Sequence, residues 1–359
     1  MSESSMNSIK KSDTLKYRKV IEKLENEKVV GENECACAAE SQGKNLFNSL
    51  VEEAQNTKKE IWKLWRYDEI PDYLKDNDFI WTGYRVHLTF KMCIRSILKW
   101  HNELWNVWTH FVGGLFFIGF IFYCLFSEGW DRYNHLLKPE EVKEENFHRG
   151  IFIIYSISAL ICMMGSFSFH LFGCMSREIF YFLLKFDYVG IASLTGGSML
   201  IFVYESWFCV PFYRTLYMTI CSIIVFTGCT LCFTPKFSAV ECRPYRAATF
   251  VGMGTSGAIP IAHFVYRVLY HTGDPFHQEM ELLVPAFLTS IFYLIGAVFF
   301  VLRIPERFAP GRFDYSFYSH TYMHTFVVLA SLTHLYGGLK MFDYRTSHSG
   351  CTEWNKWFS

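Results

Sequence analysis

His320 and His324 stand four residues apart in FYSHTYMHTFVVLA (residues 317–330), at the head of an apolar run. On a helix that spacing puts both imidazoles on one face. His170 lies in SFSFHLFGC, four residues after Ser166, near the end of a second apolar run, and Asp187 opens a third in LLKFDYVGIASLTGG. An ionisable group inside a run of membrane length is expensive, so each one needs a reason. Three imidazoles with an oxygen donor are the usual kit of an open zinc site, with water in the fourth position. Zinc brings the pKa of that water towards about 7, producing a hydroxide in a largely dry setting. Asp187 then either holds the water and accepts its proton, or orients a ligating histidine. Ser166 either donates to a developing oxyanion or bonds back to its own helix. A lone histidine in such a run is more often a partner between helices than a ligand. The pair together with His170 and Asp187 is what favours a metal. His110, at the start of the first run, can join the site, although a capping or inter-helix bond is the plainer expectation. His263 and His334 fall further from this depth, and His271 and His277 lie in a link.

The elements that must carry these residues are membrane helices. The chain has 359 residues, 51% hydrophobic and 19% aromatic, with zero formal net charge. That balance gives no footprint for nucleic acid or an acidic substrate. Seven runs approach the ~20 apolar residues that a spanning helix needs. They cover 106–126, 150–172, 180–204, 213–233, 246–270, 282–302 and 319–342. The expected fold class is therefore all-α, a seven-transmembrane helix bundle. A soluble helical core does not need seven such runs with short polar links. The polar start MSESSMNSIKKSDTLKYRKV has no apolar signal segment, so the first span is expected to direct insertion. The 12 cysteines show no zinc-finger spacing; Cys35 and Cys37 in ECACAAE carry no strong meaning, and no disulfide framework is indicated.

Four regions follow. Residues 1–64 are rich in Lys, Glu, Asn and Ser and read as a weakly ordered cytoplasmic region. Residues 65–105 form a cytoplasmic amphipathic segment. Within it, FKMCIRSILKW places Lys91, Arg95 and Lys99 among apolar residues at helical spacing, as in a helix lying on the membrane surface before the first span. Residues 106–342 are the seven-span, zinc-binding domain, and 343–359 an extracellular tail. Orientation follows the basic residues near the span ends. Lys91, Arg95, Lys99, Arg177, Lys236, Arg243, Arg246, Arg303, Arg307 and Arg312 fall on one side, against Arg214 on the other. The link holding Arg132, Lys138, Lys143 and Arg149 dissents, although four glutamates make it acidic. The balance places the N-terminus in the cytoplasm and the C-terminus outside or in a lumen. His170, Asp187, His320 and His324 then reach one depth near the cytoplasmic face.

These residues and their surroundings resemble the progestin and adipoQ receptor family (the haemolysin III-related superfamily), and specifically its adiponectin-receptor-like branch. The resemblance rests on IPDYLKDNDFIWTGYR, NELWNVWTHFVGG, SFSFHLFGC, FDYVGI, GAIPIAHF, RIPERFAPGRFDY and SHTYMHTFVVLA, across roughly 65–345. It implies seven helices and a zinc ion held by His170, His320 and His324, with Asp187 and Ser166 at the family's aspartate and serine positions. It also implies a receptor for an adiponectin-like protein hormone or a lipid ligand, acting in lipid and fatty-acid metabolism. A ceramidase activity is implied too, with ceramide and fatty acid inside the bundle, and a cytosolic adaptor at the N-terminal region. One subgroup instead resides in the Golgi and tethers a Raf-type kinase without hydrolysis; GYR and HLFGC are similar to it, whereas RIPERFAPGRFD and LTHLYGG look closer to the hormone receptors. The plasma membrane is the expected location, with the Golgi or endoplasmic reticulum as alternatives. Three readings stay open here: a receptor with a zinc-dependent lipid amidase, a receptor with a structural zinc, and a membrane scaffold acting through residues 1–100.

Overall fold

The computed structural model describes residues 63–127, 139–234, 237, 242–272 and 278–347. The expected weakly ordered region falls almost wholly outside these residues, as does most of the C-terminal tail. Each of the seven expected spans coincides with helix. A short helix α1 (Phe90–Ser96) precedes α2 (Leu104–Phe126), α3 (Pro139–Phe172), α4 (Arg177–Ser206) and α5 (Pro211–Cys232). The fifth span is two helices, α6 (Arg243–Ser256) and α7 (Ala258–Thr272), and then come α8 (Val284–Leu302) and α9 (Ser319–Ser347). The chain is a multi-pass membrane protein. Among the described residues, six helical stretches are long and apolar enough to cross a bilayer. Large apolar side chains such as Phe122 and Phe126 on α2, Ile223 and Phe226 on α5, and Leu294 and Val301 on α8 are exposed. Water would not tolerate so many together; hydrocarbon does.

The last helix, α9, is less apolar, and its place explains why. It packs against α8, α2, α4 and α3. It therefore lies inside the bundle, where His320, His324 and His334 meet other helices rather than lipid. The fifth span breaks for a local reason. Pro260 is the third residue of α7, lacks an N–H, and its ring crowds the carbonyl four residues back. The break falls at Gly257, whose N–H reaches the Gly254 carbonyl at 3.3 Å.

Small residues set the distance between helices, as expected where lipid removes the hydrophobic incentive. A Cβ at Gly190 would lie 2.7 Å from the Cys162 Cα, and one at Gly165 would lie 2.9 Å from the Phe186 carbonyl oxygen. Backbone cannot yield there, so α3 and α4 approach closely along their shared length. Gly119, by contrast, faces open space. Gly190→Ala should thus destabilise the bundle by about 1–3 kcal/mol through overpacking, while Gly119→Ala stays near wild type. Thermal melts of the two variants in detergent measure this, and equal melting temperatures would contradict the close approach.

The segment before α2 forms a cap over one end of the bundle. Residues 65–89 fold back on themselves, with Trp65 and Tyr84 exchanging backbone hydrogen bonds at 2.8 and 3.2 Å. The link between α8 and α9 holds this cap. Asp314 accepts from the Trp81 N–H at 3.0 Å and the Thr82 hydroxyl at 2.6 Å. Buried Glu306 accepts from the Asn77 amide at 3.0 Å and the Ser319 N–H at 2.8 Å, so it also caps α9. Gly311 sits at φ 80° against the Trp81 ring, where a Cβ would come within 2.6 Å. Helix α1 is shorter than the expected surface helix but keeps its character. Cys93 and Ser96 are buried while Phe90, Ile94, Leu98 and Trp100 stay exposed beside Lys91 and Arg95.

Candidate metal centre

The capped end of the bundle gathers the residues singled out in the sequence. His170 lies in the last turn of α3, and His320 and His324 share the first turns of α9. Potential ligand atoms of the three lie within 4.8 Å of one another. Their ring centroids are 4.9 Å (His170–His320), 4.7 Å (His170–His324) and 4.7 Å (His320–His324) apart. His170 and His324 are buried. The His170 Nε2 and His324 Nδ1 atoms are buried without a hydrogen-bond partner. Leaving such atoms unsatisfied costs free energy, and a shared cation removes that cost. The donor set fits a divalent metal.

The far nitrogen of His170 is fixed by a carboxylate. Its Nδ1 lies 2.7 Å from Glu103 Oε2. The carboxylate can only accept, so Nδ1 carries the proton and Nε2 keeps its lone pair towards the other two rings. Glu103 precedes the first residue of α2 and also accepts from the Asn106 amide at 2.7 Å. Buried Asn106 in turn donates to the Tyr318 hydroxyl at 2.5 Å and accepts from Thr321 at 3.0 Å. This chain of bonds ties the start of α2 to the start of α9 on both sides of His320. Arg85 completes the frame: it donates to the His170 carbonyl at 2.5 Å and the Leu171 carbonyl at 3.3 Å, which have no helical partner at the end of α3.

Asp187 is brought to the site by the close α3–α4 approach at Gly165 and Gly190. The Asp187 carboxylate is near enough to the Ser166 hydroxyl and to His170 to interact with both. Of the two sequence roles for Asp187, orienting His170 falls to Glu103 instead. His110 packs edge-on against His324, with ring centroids 3.9 Å apart, and its Nδ1 has no partner. It borders the cluster without the bond expected of it. His263 and His334 bond elsewhere, to the Tyr217 hydroxyl and the Ser198 carbonyl, each at 2.8 Å.

The chain matches the Haemolysin-III related family over residues 98–335. The chain belongs to this family. Among relatives of this haemolysin-III related chain, "Heptahelical transmembrane protein 1" of Arabidopsis thaliana is 35% identical over 80% of this chain and 84% of its own. The "Adiponectin receptor protein" of Drosophila melanogaster is 32% identical over 86% of this chain and 67% of its own. "Progestin and adipoQ receptor-like protein 1" of Caenorhabditis elegans is 36% identical over 77% of this chain, which spans 60% of that protein's length. The adiponectin-receptor-like resemblance read from the motifs therefore holds.

Besides Arg85, two features of this haemolysin-III related protein had no reading in the sequence. Glu103 is one, although 103, 106 and 110 share a helix face and all are polar. The other is a disulfide at Cys209, where no framework was indicated; its isolated position in the sequence gives no pattern to read. Glu103→Gln keeps the shape but weakens the acceptor behind His170, so metal affinity should fall about 10–100-fold. Competition with a chromophoric chelator measures this, and unchanged affinity would mean that Glu103 serves only the α2–α9 network.

Proposed function

We propose that this chain is an adiponectin-receptor-like receptor whose histidine cluster holds zinc and supports hydrolysis of a lipid amide such as ceramide. One observation carries the reading: three convergent imidazoles, two with orphaned nitrogens, with the Asp187 carboxylate near enough to His170 to interact with it. His170, His320 and His324 would hold the ion. Bound zinc would supply Lewis-acid polarisation of a carbonyl and activation of water. Asp187 would take the proton of the attacking water and return it to the leaving amine. Ser166 would hold that carboxylate in place. Glu103 would keep His170 in its ligating tautomer. The cap and the apolar bundle would limit water, and the acyl chains would lie among the spans.

Ligand and location belong to the same proposal: an adiponectin-like hormone or a lipid outside, an adaptor at the N-terminal region inside, and a plasma-membrane setting. Basic Lys91, Arg95, Lys99, Arg303, Arg307 and Arg312 lie at the capped end. The Cys209 disulfide follows α4, at the end of that helix remote from Asp187. Disulfides persist in oxidising compartments and basic residues collect on the cytoplasmic side. Both support a cytoplasmic metal site and N-terminus.

Purified protein given ceramide should release sphingosine and free fatty acid, read by mass spectrometry. Release no greater than from boiled protein would remove the hydrolase and leave a receptor with a structural ion.

A further inference from the structure

Outside the metal centre, one pair of reactive side chains meets without an assigned role. Cys93 of α1 and Cys174, in the turn after α3, have sulfurs 3.7 Å apart. Neither forms a disulfide in this structure, and both are buried, Cys174 at 6% exposure on the outer side of the pair. The backbone around them is held firmly. The His87 N–H donates to the Cys174 carbonyl at 2.8 Å, and Ser96 donates to the Cys93 carbonyl at 2.7 Å. Arg85 bonds Ser96 at 2.6 Å while holding the carbonyls of His170 and Leu171. A guanidinium thus stands at the junction of the two thiol-bearing segments.

We propose that Cys93 and Cys174 are a redox-sensitive dithiol that a peroxide converts to a disulfide, locking α1 onto the end of the helix that carries His170. The Cys174 sulfur attacks one peroxide oxygen; the O–O bond breaks, a sulfenic acid forms and one water leaves. The Cys93 sulfur then attacks the sulfenic sulfur; the S–S bond forms, the S–O bond breaks, and the departing hydroxide takes the Cys93 proton as a second water. Two thiols and one peroxide give one disulfide and two waters. Reduction by a dithiol or glutathione restores the start.

Geometry assigns the roles. Cys174 is the more exposed residue of the two, and the sulfur–sulfur contact with Cys93, together with the Arg85 charge, holds its thiol below its ordinary value. Cys93 is fully enclosed and its thiol is pushed up by the same contact and by burial, which suits a resolving partner. Closing from 3.7 Å to the ~2.0 Å of a disulfide is a small movement of a short helix. The other described free cysteines include Cys124 and Cys162, which lie buried within the bundle.

The test uses the full chain in lipid nanodiscs, treated with graded hydrogen peroxide, alkylated, digested and read by mass spectrometry. A Cys93–Cys174 linked peptide should appear, alkylation of both residues should be lost together, and dithiothreitol should restore it. Cys162 should be unchanged. In Cys93→Ser, dimedone should trap Cys174 as sulfenic acid; in Cys174→Ser, Cys93 should stay unmodified. The wild-type readout needs no variant to fold. Absence of the linked peptide at doses that oxidise exposed methionines overturns the proposal, as does trapping of Cys93 rather than Cys174.

Discussion

His320→Ala/His324→Ala should bring the metal content of the purified protein to background, whereas wild type should retain close to one zinc per chain. This is the largest effect expected. Two of the three imidazoles leave together, and the remaining His170 is one neutral ligand where an open zinc site uses three. The same substitution separates metal loss from misfolding. A ligand bound only to the folded state stabilises it by about 4 kcal/mol at a thousandfold excess over its dissociation constant. A strong chelator should therefore lower the melting temperature of wild type but leave the double variant unmoved. His263→Ala, remote from the cluster and bonded to Tyr217, should bind metal as wild type does. Equal zinc in wild type and the double variant would remove the site altogether.

Asp187→Asn should keep the metal and lose ceramide hydrolysis by about 10²–10⁴-fold, the range typical for removing a general base. Asparagine has the shape of aspartate, and its amide oxygen can still accept from Ser166, so packing against α3 survives. What disappears is the ability to take a proton. Zinc content and the chelator-sensitive melt should match wild type, while fatty-acid release falls. Full release from Asp187→Asn would exclude Asp187 as the base. Loss of both zinc and release would make it part of the metal's support instead.

The positions that carry chemistry could be read from spacing because membrane burial makes polarity conspicuous. His170, Asp187, His320 and His324 stand out in runs where most other choices are apolar or small. The same logic failed for Glu103. It lies just before α2, in HNELWN, where a charged residue is ordinary at a helix start. Only the packing of α2 beside α3 and α9 turns it into the partner of His170. Arg85 was hidden likewise: nothing local distinguishes it, and its partners lie at Ser96, His170 and Leu171. The second turn of α2 made His110 look like a possible member of the site. The structure instead sets it edge-on against His324, at the border of the cluster.

The sequence by itself determined the order and approximate ends of the spans, although not the break within the fifth, because hydrocarbon forces backbone bonds inward and demands long apolar runs. It also determined which residues are too polar to be there without purpose. Tertiary structure alone decided which of them meet. The Gly165 and Gly190 contacts set how closely α3 and α4 approach, the place of α9 within the bundle brings its imidazoles to His170, and the cap held by Glu306 and Asp314 closes that end. Some of these contacts, and the network around the start of α2, join residues more than two hundred positions apart, such as Asn77 with Glu306 and Asn106 with Thr321. Local periodicity says which face of a helix is polar; it carries no information about which other face that one will touch.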